Sequence, residues 1–432
     1  MSRLDTYEKH SNARPDLTQT VRVWLRIGLL SFGGPAAQIA LMHREVVEQR
    51  RWLSEQQYLT ALSFCMLLPG PEAMQLATYA GWRLHGLLGG LIAGLLFVIP
   101  GAIVVFALAS VYALFGGVPL IDAVFIGIKA AVIAIVLEAL FKVSKRALIL
   151  PEHWVIAALA FVGIFFFAVP FPLIIFAAAI FGYLRTQDTA ENTYASNVKI
   201  KPAKTLAIIF AWLLIWWFPI AALGWIFEAN FLFDIGVFFS KLAVVTFGGA
   251  YAVLAYLAQD VVSQFGWLTA TEMMDGLGLA ETTPGPLILV NEFVGFIAGY
   301  REGGFALASA AALVTLWTTF VPCFLWIFAG APYLEWLDSQ PRLKGALAAI
   351  TAAVVGVILY LSIWFALHVF FSEVSLIQYG VLSLWVPAVE SVGWLVVILF
   401  SISALLLFFL KFGVFKVLLV SSALGLMAKV LM

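Results

Sequence analysis

The chain has 432 residues, 63% of them hydrophobic and 11% charged, with a mean hydropathy of +1.03. A soluble domain carries roughly 25% charged residues, so a water-soluble fold is excluded. With 24 basic against 24 acidic residues the net charge is zero, and no electrostatic footprint for nucleic acid is present. Cys65 and Cys323 lie in separate apolar runs with no second Cys or His at ligand spacing. Neither a disulfide framework nor a zinc site is expected, and no cofactor is implied.

In chain order, residues 1–22 are polar and mixed in charge, which reads as a cytoplasmic tail rather than a cleavable signal. Hydropathy then gives candidate membrane segments near 23–42, 58–80, 86–115, 118–141, 153–168 and 170–184. A polar linker follows at 185–204, and the second half offers 205–227, 233–257, 273–298, 305–330, 343–371, 376–388, 392–410 and 412–431. Ten to fourteen crossings are expected, because several segments are short or broken for the roughly 20 residues a bilayer span needs. The expected fold is all-α: a polytopic transmembrane helical protein with an N-terminal repeat at 23–184 and a C-terminal repeat with extra helices at 205–432. Basic residues collect at Arg14, Arg22 and Arg26, at Lys142, Lys145 and Arg146, at Lys199, Lys201 and Lys204, and at Arg342 and Lys344. By the positive-inside rule the N-terminus is cytoplasmic. If every basic loop faces inward, several segments must be hairpins or half-helices.

The strongest signal is internal. Residues 31–71 laid on 246–286, a constant offset of 215, are identical at 14 of 41 positions without a gap, from Phe32-Gly33-Gly34 through Trp52 to Pro69-Gly70-Pro71. A duplicated unit follows. Seven candidate segments separate the two copies, an odd number that would insert the second upside down and make the repeats inverted.

Each copy carries two backbone-breaking motifs: Phe32-Gly33-Gly34 with Phe247-Gly248-Gly249, and Pro69-Gly70-Pro71 with Pro284-Gly285-Pro286. Pro-Gly-Pro cannot continue a helix, and in lipid such breaks are tolerated only where protein or a wet cavity covers the freed backbone. Broken or re-entrant half-helices meeting near the midplane are therefore expected. Their positive N-terminal ends would present free N–H groups to an anion, helped by Ser31, Thr246, Thr282, Thr283 and Asn291. Kinking and close helix packing are the competing use of such residues.

Intramembrane ionisable groups are costly and usually face a cavity or a partner. Candidates are Glu72, Arg83, Lys129, Glu138, Lys241, Asp275, Glu281 and Glu292. Glu72, Glu281 and Glu292 flank the Pro-Gly-Pro breaks and are candidate proton carriers. Arg83 could clamp an oxyanion with its planar guanidinium or anchor the interface beside Trp82. His43 and His85 lack partners at metal-ligand spacing. Residues 42–57, with Trp52 matched by Trp267, read as an interfacial connector.

With SFGGP at Ser31 to Pro35 followed by Gln38, LLPGPEAMQLATYAGWRLHG at Leu67 to Gly86, and the weaker copies TFGGA and TPGP, the sequence resembles the chromate ion transporter family in its long, two-domain form. The resemblance implies export of chromate across the cell inner membrane, driven by the proton-motive force and giving resistance, with sulfate as a similar dianion. It also implies antiparallel homologous halves. The second half departs from the pattern, with Ala250 in place of Pro35 and Leu287 in place of Glu72. An ATP-driven pump is not indicated, since no G-x-x-x-x-G-K-[ST] run occurs. An intramembrane enzyme using Glu72, His85 and Glu292 would need a nucleophile beside them, and a channel would more naturally build its filter from symmetric subunits. Oligomeric state stays open, a homodimer included.

Overall fold

The computed structural model describes residues 15–116, 118–186, 202–226, 228–247, 249–338 and 340–431. Gly248, most of the 185–204 linker and most of the 1–22 tail lie outside the described residues. The helices are α1 Leu17–Leu30, α2 Gly34–His43, α3 Glu55–Leu67, α4 Glu72–Phe115, α5 Pro119–Ala147, α6 Pro151–Phe167, α7 Phe171–Arg185 and α8 Pro202–Trp225. They continue as α9 Asn230–Val245, α10 Ala250–Leu257, α11 Ala270–Thr282, α12 Val290–Gly330, α13 Leu334–Asp338 and α14 Pro341–Phe370. A β-hairpin, β1 Val374–Tyr379 and β2 Leu382–Pro387, then precedes α15 Trp394–Ala404 and α16 Val414–Leu431.

The 215-residue offset holds at the level of single backbone bonds. The capping box of Ser54 with Gln57 recurs as Thr269 with Glu272, which starts α3 and α11 at matching places because each cap satisfies orphan N–H groups of its first turn. A π-helical turn follows α2 at Arg44–Gln49 and α10 at Ala258–Gln264. Trp52 N donates to the Val46 carbonyl at 2.8 Å, and Trp267 N to that of Val261 at 3.0 Å.

α4 and α12 are both hairpins. His85–Gly86 and Gly303–Gly304 leave helical geometry, splitting them into limbs 72–84 and 87–115, and 290–302 and 305–330. Within α11 and α12, Arg301 at the end of the short limb reaches Glu272 at the start of α11 at 2.5 Å and donates to the Trp267 carbonyl. The pair α11 and 290–302 therefore enters and leaves at the same end of the molecule, with the break at its tip.

This corrects the count of crossings. The candidate segments 23–42, 58–80, 233–257 and 273–298 are pairs of half-helices, because Gly-Gly and Pro-Gly-Pro reverse the chain while leaving hydropathy high. Six helices are long and apolar enough to cross a membrane, and three shorter apolar helices, Pro151–Phe167, Phe171–Arg185 and Trp394–Phe409, complete the set among the described residues. Segment 376–388 is also corrected. It is a two-residue hairpin with Tyr379 paired to Leu382 and Gly380 at φ +62°, which the left-handed turn position requires of a Gly; its strands are too short to span a bilayer as helix.

Five apolar helices, three long and two shorter, stand between the start of one unit and the start of the next: the limb 87–115, α5, α6, α7 and α8. The number is odd, so the second unit runs in the opposite sense to the first. The two units also exchange arms: α6 and α7 pack on α14 of the second half, while α15 and α16 pack on α5 of the first. Small residues bring the backbones together at these crossings, with Gly182 against the Gly345 carbonyl and Gly127 against that of Ser421, as in membrane helix packing.

The helix directions gather the basic residues at one end. Lys142, Lys145 and Arg146 close α5, Arg185 closes α7 and meets Glu152 at the start of α6 at 3.4 Å, and Arg342 at the start of α14 sits 5.6 Å from the Tyr183 ring centre. Thr20 near the start of α1 meets His85, at the turn of α4, at 3.0 Å, which brings the chain's beginning to the same end. The β-hairpin and the start of α5 lie at the other.

Candidate functional site

The four breaks meet. Gly70 N donates to the Thr246 carbonyl at 2.8 Å, and Gly285 N donates to the Ser31 carbonyl at 2.9 Å. Under the 215 offset these are the same bond made twice, each repeat's Pro-Gly-Pro plugging the other's Phe-Gly-Gly break. Gly70 and Gly285 have φ of +116° and +92°, conformations that cost an L side chain strain. Around them the backbone repeats as well. Phe32 N bonds to Leu30 O at 2.9 Å and Phe247 N to Val245 O at 3.0 Å, while the Ser31 and Thr246 hydroxyls donate back to Ile27 O at 2.5 Å and Leu242 O at 2.6 Å.

Between the breaks lies a cavity of about 20 Å³ lined by Pro35, Gln38, Gly70, Pro71, Glu72, Ala73, Thr246, Gly249, Ala250, Pro286, Leu287 and Ile288. It has room for about one water. Its walls are the first turns of α2, α4 and α10 and of the 3-10 turn Leu287–Leu289 that opens α12. Four helix N-termini thus point at one small space. Each end presents N–H groups without intrahelical partners and the equivalent of roughly half a positive charge, so together they amount to about two.

Two glutamines brace the arrangement on the first-repeat side only. Gln38 Nε2 donates to Ser31 O at 3.2 Å and to Gly285 O at 2.6 Å, and Gln75 Nε2 donates to Pro69 O at 2.7 Å. Their Oε1 atoms are buried and have no hydrogen-bond donor among the described residues. The second repeat has Val253 and Val290 at the matching places. Gln75 escaped the sequence reading although it is the one amide in the apolar run Ala73 to Gly81; its spacing from Pro69 is what marks it.

The family model described as Chromate transporter matches residues 18–183 and again 233–426. The chain belongs to the chromate transporter family. The family match falls in two tracts, one on each copy of the duplicated unit. A "Chromate transport protein" of Pseudomonas aeruginosa is 34% identical over 78% of this chain and 77% of its own. One of Cupriavidus metallidurans is 30% identical over 81% of this chain and 82% of its own, and a "Probable chromate transport protein" of Synechococcus elongatus is 30% identical over 81% and 84%. No solved structure matches the chain.

In this member of the chromate transporter family, the structure brings Gln38, Gly70, Pro71, Glu72, Thr246, Gly249 and Pro286 to the cavity wall. Ser31, Pro69, Gly33, Gly34, Pro284 and Gly285 form the breaks behind it, and Phe32 is 41% exposed beside them. Thr282 and Thr283 turn their hydroxyls back to Leu279 O and Ala280 O. Glu281 stands one layer out, accepting the Tyr251 hydroxyl at 2.7 Å. Asn291 bonds Thr319 at 3.2 Å, and Glu292 is buried with Oε2 lacking a donor among the described residues; neither lines the cavity. Arg83 is exposed at the far end of the limb 72–84, about 16 Å along the helix from Glu72 at 1.5 Å per residue. Eleven residues of straight helix separate the two, so Arg83 is not among the groups brought to this cavity. Glu138 pairs with Lys142 at 2.6 Å, and Lys241 is exposed.

Proposed function

We propose that the chain is a secondary transporter that exports chromate across the cell inner membrane, driven by the proton-motive force and conferring chromate resistance. The observation that carries this reading is the convergence of four helix N-termini, two from each inverted unit, on one small cavity in a chromate transporter family chain. Their summed charge of about two matches a dianion. A cavity that admits about one water is the occluded member of an alternating-access cycle, in which the two units rock about the shared Gly70–Thr246 and Gly285–Ser31 contacts.

The basic end of the molecule is the cytoplasmic end. Moving two negative charges outward through an inside-negative potential releases roughly 5 kcal/mol per 100 mV, so export is the favoured direction. Glu72 is the proton-coupling group at the site: an ionised carboxylate on the cavity wall opposes an anion, and a protonated one does not. Glu281 and Glu292 serve as further proton positions behind it. The working units are residues 23–184 and 205–432, and sulfate competes because it shares the charge and shape of chromate.

The test is uptake of labelled chromate into inverted membrane vesicles, with and without an energised membrane and beside vesicles lacking the protein. Saturable, energy-dependent accumulation inhibited by sulfate is expected. Accumulation equal to the control removes the substrate and direction together.

A further inference from the structure

At the end opposite the basic loops lies a second, larger cavity of about 520 Å³, lined by Ile126, Lys129, Thr271, His368, Ser372, Glu390 and Val396 among others. Lys129, on α5, forms part of its floor and points at Asp275 of α11, with Nζ 3.8 Å from Oδ1. Asp275 is 3% exposed. Its Oδ2 accepts the Tyr112 hydroxyl at 2.8 Å, whereas Oδ1 accepts no hydrogen bond among the described residues. The carboxylate is thus half satisfied: one oxygen is bonded, the other faces an ammonium beyond hydrogen-bond distance. Such a pair is costly to desolvate. It also bridges the units, since α5 and Tyr112 of α4 belong to the first and α11 to the second.

We propose that Lys129 is a second oxyanion position, in this outer vestibule, and that Asp275 gates it by taking up a proton. With Asp275 ionised, the ammonium is neutralised across the 3.8 Å gap and the vestibule holds no net attraction for an anion. When a hydronium ion gives up a proton to Oδ1, one of its O–H bonds breaks to leave water, an O–H bond forms on the unoccupied oxygen, and the Lys129 charge is released to a dianion in the cavity. Ionisation of Asp275 reverses the exchange and expels the anion. The other groups facing the pair are Asp122 of α5, Glu272 of α11, which Arg301 of α12 holds, and Tyr112 of α4; His368 of α14 and the loop Glu390 face the vestibule. Asp275 is the one among them that touches Lys129. It stands nine residues before Pro284, about 14 Å along α11, so the gate is mechanically joined to the break it serves.

This inference rests on the oxyanion-transport reading and is separable from it. Sulfate binding to the purified full chain is measured by calorimetry in two buffers of different ionisation enthalpy, which counts protons taken up. Glu72→Gln removes the proton group of the central cavity. In that variant about one proton per sulfate bound at the vestibule is expected, with affinity rising roughly tenfold per unit fall in pH while the proton is linked. In Glu72→Gln/Asp275→Asn, sulfate still binds but proton uptake is lost. Lys129→Met abolishes the vestibule binding event while the central one remains, a readout that stands even where the Asp275 variant fails to fold. Proton uptake unchanged by Asp275→Asn, or sulfate stoichiometry unchanged by Lys129→Met, overturns the gate. Absence of both sulfate binding and chromate transport in the unsubstituted chain instead overturns the oxyanion reading itself.

Discussion

Gly70 and Thr246 are joined by a 2.8 Å backbone hydrogen bond whose mirror is the 2.9 Å bond from Gly285 to Ser31. Residues 176 apart in sequence are thereby fixed by the same two-residue contact that fixes their counterparts. In an apolar interior each unpaired N–H or carbonyl costs several kcal/mol, so neither unit can satisfy its own breaks without the other. The site is consequently a property of the paired units, and its occlusion is set by how closely they approach.

Gly70 is the less replaceable of the two glycines. A Cβ there would lie 2.9 Å from both Cys323 Sγ and Gln75 Nε2, whereas at Gly285 the nearest atom is Leu289 Cδ1 at 3.1 Å. Both substitutions to Ala add backbone strain of about 1–3 kcal/mol, and Gly70→Ala adds a clash with packed atoms. Thermal unfolding in detergent should fall for both variants, further for Gly70→Ala, with chromate uptake lost first in that variant.

Gln38→Val copies the residue found at the matching place in the second unit. It deletes the donor to Ser31 O and Gly285 O, and leaving those buried carbonyls less satisfied should cost about 1–3 kcal/mol. Reduced thermal stability with a lower transport rate is expected. An unchanged melting temperature would mean that the Gly285–Ser31 bond suffices alone.

Glu72→Gln keeps the shape of the cavity wall and removes the charge. Chromate uptake by inverted vesicles should then lose the part of its pH dependence that arises at the central cavity, keeping the part that Asp275 imposes and its dependence on membrane potential. A pH profile identical to that of the unsubstituted chain would assign proton coupling elsewhere.

Arg83→Ala should leave the apparent affinity for chromate within about threefold, because the exposed guanidinium stands about 16 Å along the helix from Glu72 and makes no direct contact at the cavity. A loss of affinity of tenfold or more would require the limb 72–84 to move as a body during transport.

Sidedness can be read with cysteines at exposed positions, since native Cys65 and Cys323 are buried. Lys145→Cys, at the basic end, should react with a membrane-impermeant maleimide only in inverted vesicles. Glu373→Cys, beside the β-hairpin, should react only in right-side-out ones.

How much of this was legible beforehand differs from residue to residue. The membrane class follows from composition alone, because no soluble fold hides so much apolar surface. The duplication follows from Phe32 to Pro71 recurring at a fixed offset, and the breaks from the backbone chemistry of Gly and Pro, which is local and needs no neighbour. The expected contribution of the broken helices to an anion site rests on that same local chemistry. What hydropathy could not register was direction. A half-helix that turns back at Pro69-Gly70-Pro71 is as apolar as one that passes through, so hydropathy alone overcounts the crossings and takes 376–388 for a span. Nor could spacing place Arg83 away from Glu72's cavity, or join Lys129 to Asp275 across 146 residues. Those pairings depend on which helices pack together, here through arms exchanged between the two units, and only the tertiary structure decides that, because packing energy is shared among contacts distant in sequence.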